Sequence, residues 1–291
     1  MAVGTWTRSV GVVSVFAFAA AACAKSEQKA ASDSGAVQQA AAASPTVVNF
    51  QAKDFAFTGP DTISAGETTI DLTNQGPSLH HVQLVRLDSG KTAADLQAAM
   101  KHPGPMPAWA VFVGGPNAPD PGAQSNATMK LDPGNYVVVC LVDQPGGVPH
   151  MMKGMVHPLT VVASSAPAAA APNPDVTVTM KDYGYTLSTP LTAGHHVIAV
   201  SNVGTQPHEV ELVKLDSGKT TQDVLKFMVN PNGPPPGHAL GGVDALAPGQ
   251  SPVSFSADLT PGNYSLICFV PDAKDGKPHF MHGMMHDLTI N

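Results

Sequence analysis

From about residue 45 onward, short runs of alternating apolar and polar positions recur, each bounded by Gly, Pro, Asn or Asp. In the first half, "TTIDLTN" (68–74), "HVQLVRL" (81–87), "NATMKL" (126–131), "NYVVVCLV" (135–142) and "HPLTVV" (157–162) have the β-branched content of strands. In the second half the counterparts are "HHVIAVSN" (195–202), "HEVELVKL" (208–215), "SPVSFSADL" (251–259), "NYSLICFV" (263–270) and "HDLTIN" (286–291). Two stretches leave this period of two. "TAADLQAAM" from Thr92 and "TQDVLKFM" after Thr220 each begin at a threonine with an aspartate three residues on, Asp95 and Asp223. That spacing predicts a capping box and one short helix in each half. Many short strands with one helical insert per half predict an all-β fold of sandwich or barrel type.

The two halves are copies. "NQGPSLHHVQLVRLDSGKT" from Asn74 returns as "NVGTQPHEVELVKLDSGKT" from Asn202, and "PGNYVVVC" from Pro133 as "PGNYSLIC" from Pro261. "PHMMKGMVHPLTV" from Pro149 returns as "PHFMHGMMHDLTI" from Pro278, one residue later than the earlier offset. A Pro/Ala-rich stretch, "SSAPAAAAPNP" (164–174), separates them and reads as a linker. Two domains are therefore expected, at 45–163 and 175–291, each of ordinary single-domain size. The repeated "LDSGKT" lacks the spaced glycines and the βαβ setting of a phosphate-binding loop, and reads as a turn into the capped helix.

Residues 1–22 read as an export signal: Arg8 is followed by an apolar run from Val10 to Ala22, too short to span a bilayer. The run ends in "AAAC", which resembles the lipobox of bacterial lipoproteins and implies lipidation at Cys23, although a leucine is more usual where Ala20 stands. Residues 23–44, rich in Ala, Ser and Gln, are expected to be a disordered tether. The expected location is thus the periplasmic side of a bacterial membrane or the cell surface, with membrane contact through the lipid anchor only. A net charge of -7 with only 15 Lys and Arg argues against nucleic acid as a partner.

Setting Cys23 aside leaves Cys140 and Cys268, which sit at one position in two equivalent copies, so a disulfide between them is not expected. Each copy pairs its cysteine with further soft or imidazole donors: His80, Cys140, His150 and Met155 in the first, His208, Cys268, His279 and Met284 in the second. Two histidines and a cysteine with a weak methionine suit type 1 copper, because thiolate and thioether favour Cu(I) while imidazole serves both oxidation states. Zinc is the poorer match, since thioether sulfur is a poor zinc ligand.

These motifs resemble the cupredoxin family of type 1 copper proteins. The resemblance lies in the Asn-x-Gly turn before the first histidine ("NQGPSLH", "NVGTQPH"), the strand that delivers the cysteine ("PGNYVVVC", "PGNYSLIC"), and His-x4-Met with Gly before Met. It implies two tandem Greek-key β-sandwich domains with up to two coppers per chain; the short helical insert in each lies outside the simplest family pattern. It also implies equatorial ligands His80, Cys140, His150 and His208, Cys268, His279, with Met155 and Met284 axial. Two departures stand out. Nine and ten residues separate cysteine from the second histidine, closer to the type 1 loop of copper nitrite reductases than to small electron carriers. The position after the first histidine, often Asn in carriers, is His81 or Glu209.

No histidine adjoins either cysteine, so the bridge to a catalytic copper is absent, and no enzyme activity is expected. The resulting expectation is single-electron transfer with redox partner proteins, needing only a rigid site with a ligand histidine near the surface. Copper binding or delivery with copper-handling partners is the alternative, the Met- and His-rich closing loops supplying Cu(I) donors. A metal-free structural module is the third reading, because buried cysteine needs no metal to explain it. His195 and His196 lack counterparts and are expected at a solvated strand end, and Met151, Met152, Met281 and Met285 are expected to be packing or loop residues.

Overall fold

The computed structural model describes residues 43–101, 104–144 and 147–291. The expected export signal and its cysteine, and the tether up to residue 42, lie outside the described residues, as does His102. Among the described residues no helix is long and apolar enough to cross a membrane.

The first repeat comprises β1 (Thr46–Lys53), β2 (Ala56–Thr58), β3 (Thr62–Ser64), β4 (Gly66–Asn74), β5 (Gln83–Leu87), α1 (Ala93–Ala99), β6 (Ala110–Phe112), β7 (Gln124–Leu131), β8 (Gly134–Val139), β9 (Asp143–Gln144), β10 (Val148–Pro149) and β11 (Val156–Val162). The second comprises β12 (Val176–Lys181), β13 (Gly184–Leu187), β14 (Gly194–Asn202), β15 (His208–Leu215), α2 (Thr221–Val229), β16 (Gly237–Leu246), β17 (Val253–Leu259), β18 (Gly262–Ile267) and β19 (Met285–Ile290). All ten strands expected from the alternation are present, and both helices carry the reciprocal capping box at Thr92–Asp95 and Thr220–Asp223. β1, β12 and β16, of 8, 6 and 10 residues, lie outside the ten expected strands, as do the edge strands β2, β3, β6 and β13, whose three or four residues are too few to show a period.

Each repeat is a sandwich of two sheets. In the first, β2-β1-β4-β7 faces β3-β11-β8-β5-β6; in the second, β13-β12-β14-β17 faces β16-β15-β18-β19. Alternate residues of β1 (Val48, Phe50, Ala52) and β12 (Val176, Val178, Met180) point between the layers into one continuous core that spans both repeats. The "PGNY" motif closes a strand corner in each copy, with the Tyr136 hydroxyl donating to Asp132 O at 2.9 Å and Tyr264 to Thr260 O at 2.8 Å.

The repeats are joined edge to edge by equivalent segments, as in an isologous dimer. β7 meets β17 where Thr128 pairs with Ser254, and the Asn126 amide donates to Ser256 O and accepts from Ser256 N. This makes one eight-stranded sheet. On the other layer, "VGGPNA" (113–118) runs antiparallel to its own counterpart "LGGVDA" (240–245), with Val113 opposite Leu246, Pro116 opposite Val243 and Pro119 opposite Leu240. A pseudo-twofold axis passes beside Pro116 and Val243. Gly115 and Gly242 permit the approach: a Cβ would lie 1.9 Å from Val82 O in one and 2.1 Å from Val210 O in the other, at φ of +140° and +137°. Gly242→Ala should therefore destabilise the chain by roughly 2–4 kcal/mol, checked by chemical denaturation against an alanine at the open Gly249.

Candidate metal centres

Strand register brings the donors together. Val139, the last residue of β8, lies between Gln83 of β5 and Val156 of β11. Cys140 follows Val139, Met155 precedes Val156, and His80 stands three residues before Gln83, so three distant segments end at one spot. In the second repeat Ile267 lies between Glu211 and Met285, which places Cys268, Met284 and His208 likewise. The fourth donor comes from the loop. The His150 N–H donates to Val142 O (2.9 Å) and starts a 3-10 turn (His150–Lys153), while Met151 N–H returns to Cys140 O (2.8 Å). The turn ends at Gly154 in the left-handed region, Met155 N–H bonds His150 O (3.2 Å), and Cys140 N–H bonds Met155 O (3.3 Å). His279, Phe280, Gly283 and Met284 repeat the arrangement around Cys268.

The first histidine is set by the Asn-x-Gly turn. Buried Asn74 donates to Ser78 O and Pro119 O and accepts from Gly76 N at 2.9–3.0 Å, and Asn202 does the same with Gln206 O, Leu246 O and Gly204 N at 2.7–2.8 Å. Glycine is required at position 76 because a Cβ would stand 2.6 Å from His80 Nε2 and 2.9 Å from Asp54 Oδ1.

In each copy the two imidazoles turn Nδ1 towards the thiol. His80 Nδ1 is 3.0 Å from His150 Nδ1, and Cys140 Sγ is 3.9 and 3.5 Å from them. In the second copy His208 and His279 Nδ1 are 3.0 Å apart and Cys268 Sγ is 3.3 Å from His279 Nδ1. Bonds of about 2.0 Å to nitrogen and 2.3 Å to sulfur in a trigonal arrangement give edges of roughly 3.5–3.7 Å. Only small adjustments therefore separate these donors from a site of two nitrogens and one sulfur. Met155 and Met284 are fully buried beside the cysteines.

The electrostatics suit a metal. Asp54 Oδ1 accepts a hydrogen bond from His80 Nε2–H at 2.6 Å, and Asp182 Oδ1 one from His208 Nε2–H at 2.5 Å, leaving the Nδ1 lone pairs free. Burial, reinforced by the neighbouring imidazole, lowers the His150 and His279 pKa values to about 4, so both rings are neutral at pH 7. Burial pushes the Cys140 thiol up to about 12, against the amides of His81 and Val142, and raises Cys268 well above its usual value. A bound cation replaces that proton and offsets the desolvation of the thiolate. The set of one thiol, two neutral imidazoles and a thioether fits copper.

Several site features correct the sequence reading. The four candidate histidines are all buried, with the Phe55 ring 5.1 Å from His150 and the Tyr183 ring 5.2 Å from His279. His196 is not at a solvated strand end but buried, 2.5 Å from Asp175, because β14 turns its side chain inward there; His195 is exposed as expected. Met151 fills a core cluster, whereas Met281 is 58% exposed. Asp54 and Asp182 escaped the motif search, although Lys-Asp-aromatic recurs at both positions ("KDF", "KDY") and marks them. The residue after the first histidine also has a clear duty. His81 Nε2 accepts the Leu141 N–H at 2.6 Å and Glu209 Oε1 accepts the Phe269 N–H at 2.6 Å, so two different side chains hold the residue after each cysteine. A third grouping, Asp272, Asp275 and His282, lies in the longer second loop, where Tyr183, Gln206 and loop amides already bond Asp272.

Each repeat is a two-layer β-sandwich. No family model matches the chain, and no curated protein does. Among solved structures, auracyanin A, a "blue" copper protein from Chloroflexus aurantiacus, is 24% identical over 40% of this chain and 99% of its own, with a TM-score of 0.30. The blue copper oxidase of Nitrosomonas europaea is 14% identical over 84% of this chain and 86% of its own, at 0.25. The copper-containing nitrite reductase of Thermus scotoductus is 13% identical over 84% and 61%, at 0.23. The expectation that the chain is not an enzyme is overturned by this company, since the structures it resembles over both repeats are named as an oxidase and a reductase. These likenesses concern the fold and do not carry either activity to this chain.

Two outcomes are expected at these centres. Asp54→Asn should weaken copper binding at the first site about 10- to 100-fold and leave the second unchanged, as read by titration of single-site forms. Because the Cys140 thiol is protonated at neutral pH and the imidazoles are not, copper must expel one proton there. Its apparent affinity should rise about tenfold per pH unit between roughly pH 6 and 8, measured by chelator competition on the Cys268→Ser form.

Proposed function

We propose that this chain is an exported copper protein that transfers single electrons, with one type 1 centre in each of two domains, 45–163 and 175–291, joined by the linker 164–174. His80, Cys140, His150 and Met155 hold one copper, and His208, Cys268, His279 and Met284 the other. Lipidation at Cys23 tethers it to the outer face of a bacterial membrane, where redox proteins are its partners. The observation that carries the reading is the duplicated cluster of two Nδ1 atoms and a thiol, all buried, with donor atoms within 4.8 Å of one another.

Copper bound there supplies one-electron exchange between two oxidation states. The residues keep the rearrangement small: Asp54 and Asp182 hold the first imidazoles, the 3-10 turn holds the second, and Cys140 and Cys268 sit in dry core. The buried His150 and His279 edges place Phe55 and Tyr183 between ligand and solvent, so an electron enters or leaves beside those rings.

Titration of the chain with Cu(II), followed by visible absorption and EPR, tests this reading. The expected result is an intense thiolate-to-copper band saturating near two equivalents, with one centre lost in Cys140→Ser and the other in Cys268→Ser. Copper uptake without that band and insensitive to both serine variants would overturn the type 1 assignment in favour of copper delivery. No uptake at all would leave the fold without the metal.

A further inference from the structure

The residues that hold the two cysteine loops are themselves held from the opposite repeat. His81 accepts the Leu141 N–H through Nε2, so its ring proton lies on Nδ1, and Nδ1 is 2.9 Å from Asp244 Oδ2. Asp244 belongs to β16 of the second repeat and is 1% exposed. Across the pseudo-twofold axis, Glu209 accepts the Phe269 N–H, and the side-chain amide of Asn117 of the first repeat donates to the O of Val210, the residue after Glu209, at 3.3 Å. Asn117 and Asp244 are the same position of the duplicated motif, "VGGPNA" and "LGGVDA", as His81 and Glu209 are of the other. The His81 imidazole has a carboxylate of the opposite repeat 2.9 Å from Nδ1, whereas at the equivalent place of the second centre an amide of the opposite repeat holds the backbone beside Glu209. The seam orients this polar layer: Asn117 N–H donates to Gly242 O at 3.2 Å and Asp244 N–H to Gly115 O at 2.9 Å.

We propose that each metal centre is completed by the opposite repeat, with Asp244 acting as a positioning residue for the Cys140 site through His81, and Asn117 for the Cys268 site through the Val210 carbonyl next to Glu209. Cys140, His81, Asp244, Asn117, Glu209 and Cys268 are all buried, so removing a seam side chain of one repeat disturbs the cysteine loop of the other. This rests on the copper reading for its spectroscopic consequence but not for the geometry.

The test is Asp244→Ala in the full chain, with Asp244→Asn, which retains an acceptor oxygen, as the conservative variant. In the metal-free protein, amide NMR should show the Leu141 proton moving upfield in Asp244→Ala and largely restored in Asp244→Asn. In the Cys268→Ser background, whose only cysteine-bearing centre is in the first repeat, Asp244→Ala should lower copper affinity roughly 10-fold and shift the thiolate-to-copper band. Asn117→Ala should act reciprocally on the Phe269 amide, and it decides the matter if Asp244→Ala fails to fold. Leu141 and Phe269 amides unmoved by these substitutions would overturn the proposal. Moved amides in a chain that gives no thiolate-to-copper band would uphold the bridge and sink only the copper reading.

Discussion

Strand β8 between β5 and β11, like β18 between β15 and β19, is the constraint from which the site geometry follows. Antiparallel hydrogen bonding fixes which residues lie opposite one another, and a slip of one would turn the buried side chains to the other face. With Val139 between Gln83 and Val156, and Ile267 between Glu211 and Met285, the cysteine and methionine must emerge side by side. The first histidine then needs only the Asn-x-Gly turn to reach them. The donors are thus held by the backbone ladder, which does not depend on a metal.

Burial is the second physical theme. A thiol and two imidazoles enclosed in apolar core are neutral groups, and their pKa shifts all disfavour the charged forms in the absence of a cation. The carboxylates of Asp54 and Asp182 counter this at one imidazole edge only, which fixes the tautomer. Such a donor set suits a soft cation that accepts thiolate and neutral nitrogen together.

The duplication adds a feature that a single sandwich lacks. Equivalent strands and equivalent "GG" segments meet about a pseudo-twofold axis, and the close backbone approach at Gly115 and Gly242 is possible only without a Cβ. The seam buries Asp244, Glu209, Glu211, Gln83 and Asn117. Buried polar groups are destabilising unless partnered: Gln83 and Asn117 donate across the seam to Ala245 O and Val210 O, while among the described residues Gln83 Oε1, Glu211 Oε1 and Asp244 Oδ2 have no hydrogen-bond partner.

Alternation, turn residues and the capping threonines determined the ten main strands, both helices and the all-β class, because those signals are local and appear twice. The duplicated histidine, cysteine and methionine positions likewise marked the donor set, since drift elsewhere in the copies made their persistence visible. Short edge strands, the inward turn of His196, the burial of every ligand histidine and the duty of Asp54 and Asp182 were decided by tertiary structure. So was the joining of the repeats through β7–β17 and the two "GG" segments. Each of these depends on which distant segment lies alongside, and periodicity within a run holds no information about its neighbour across a sheet or a seam.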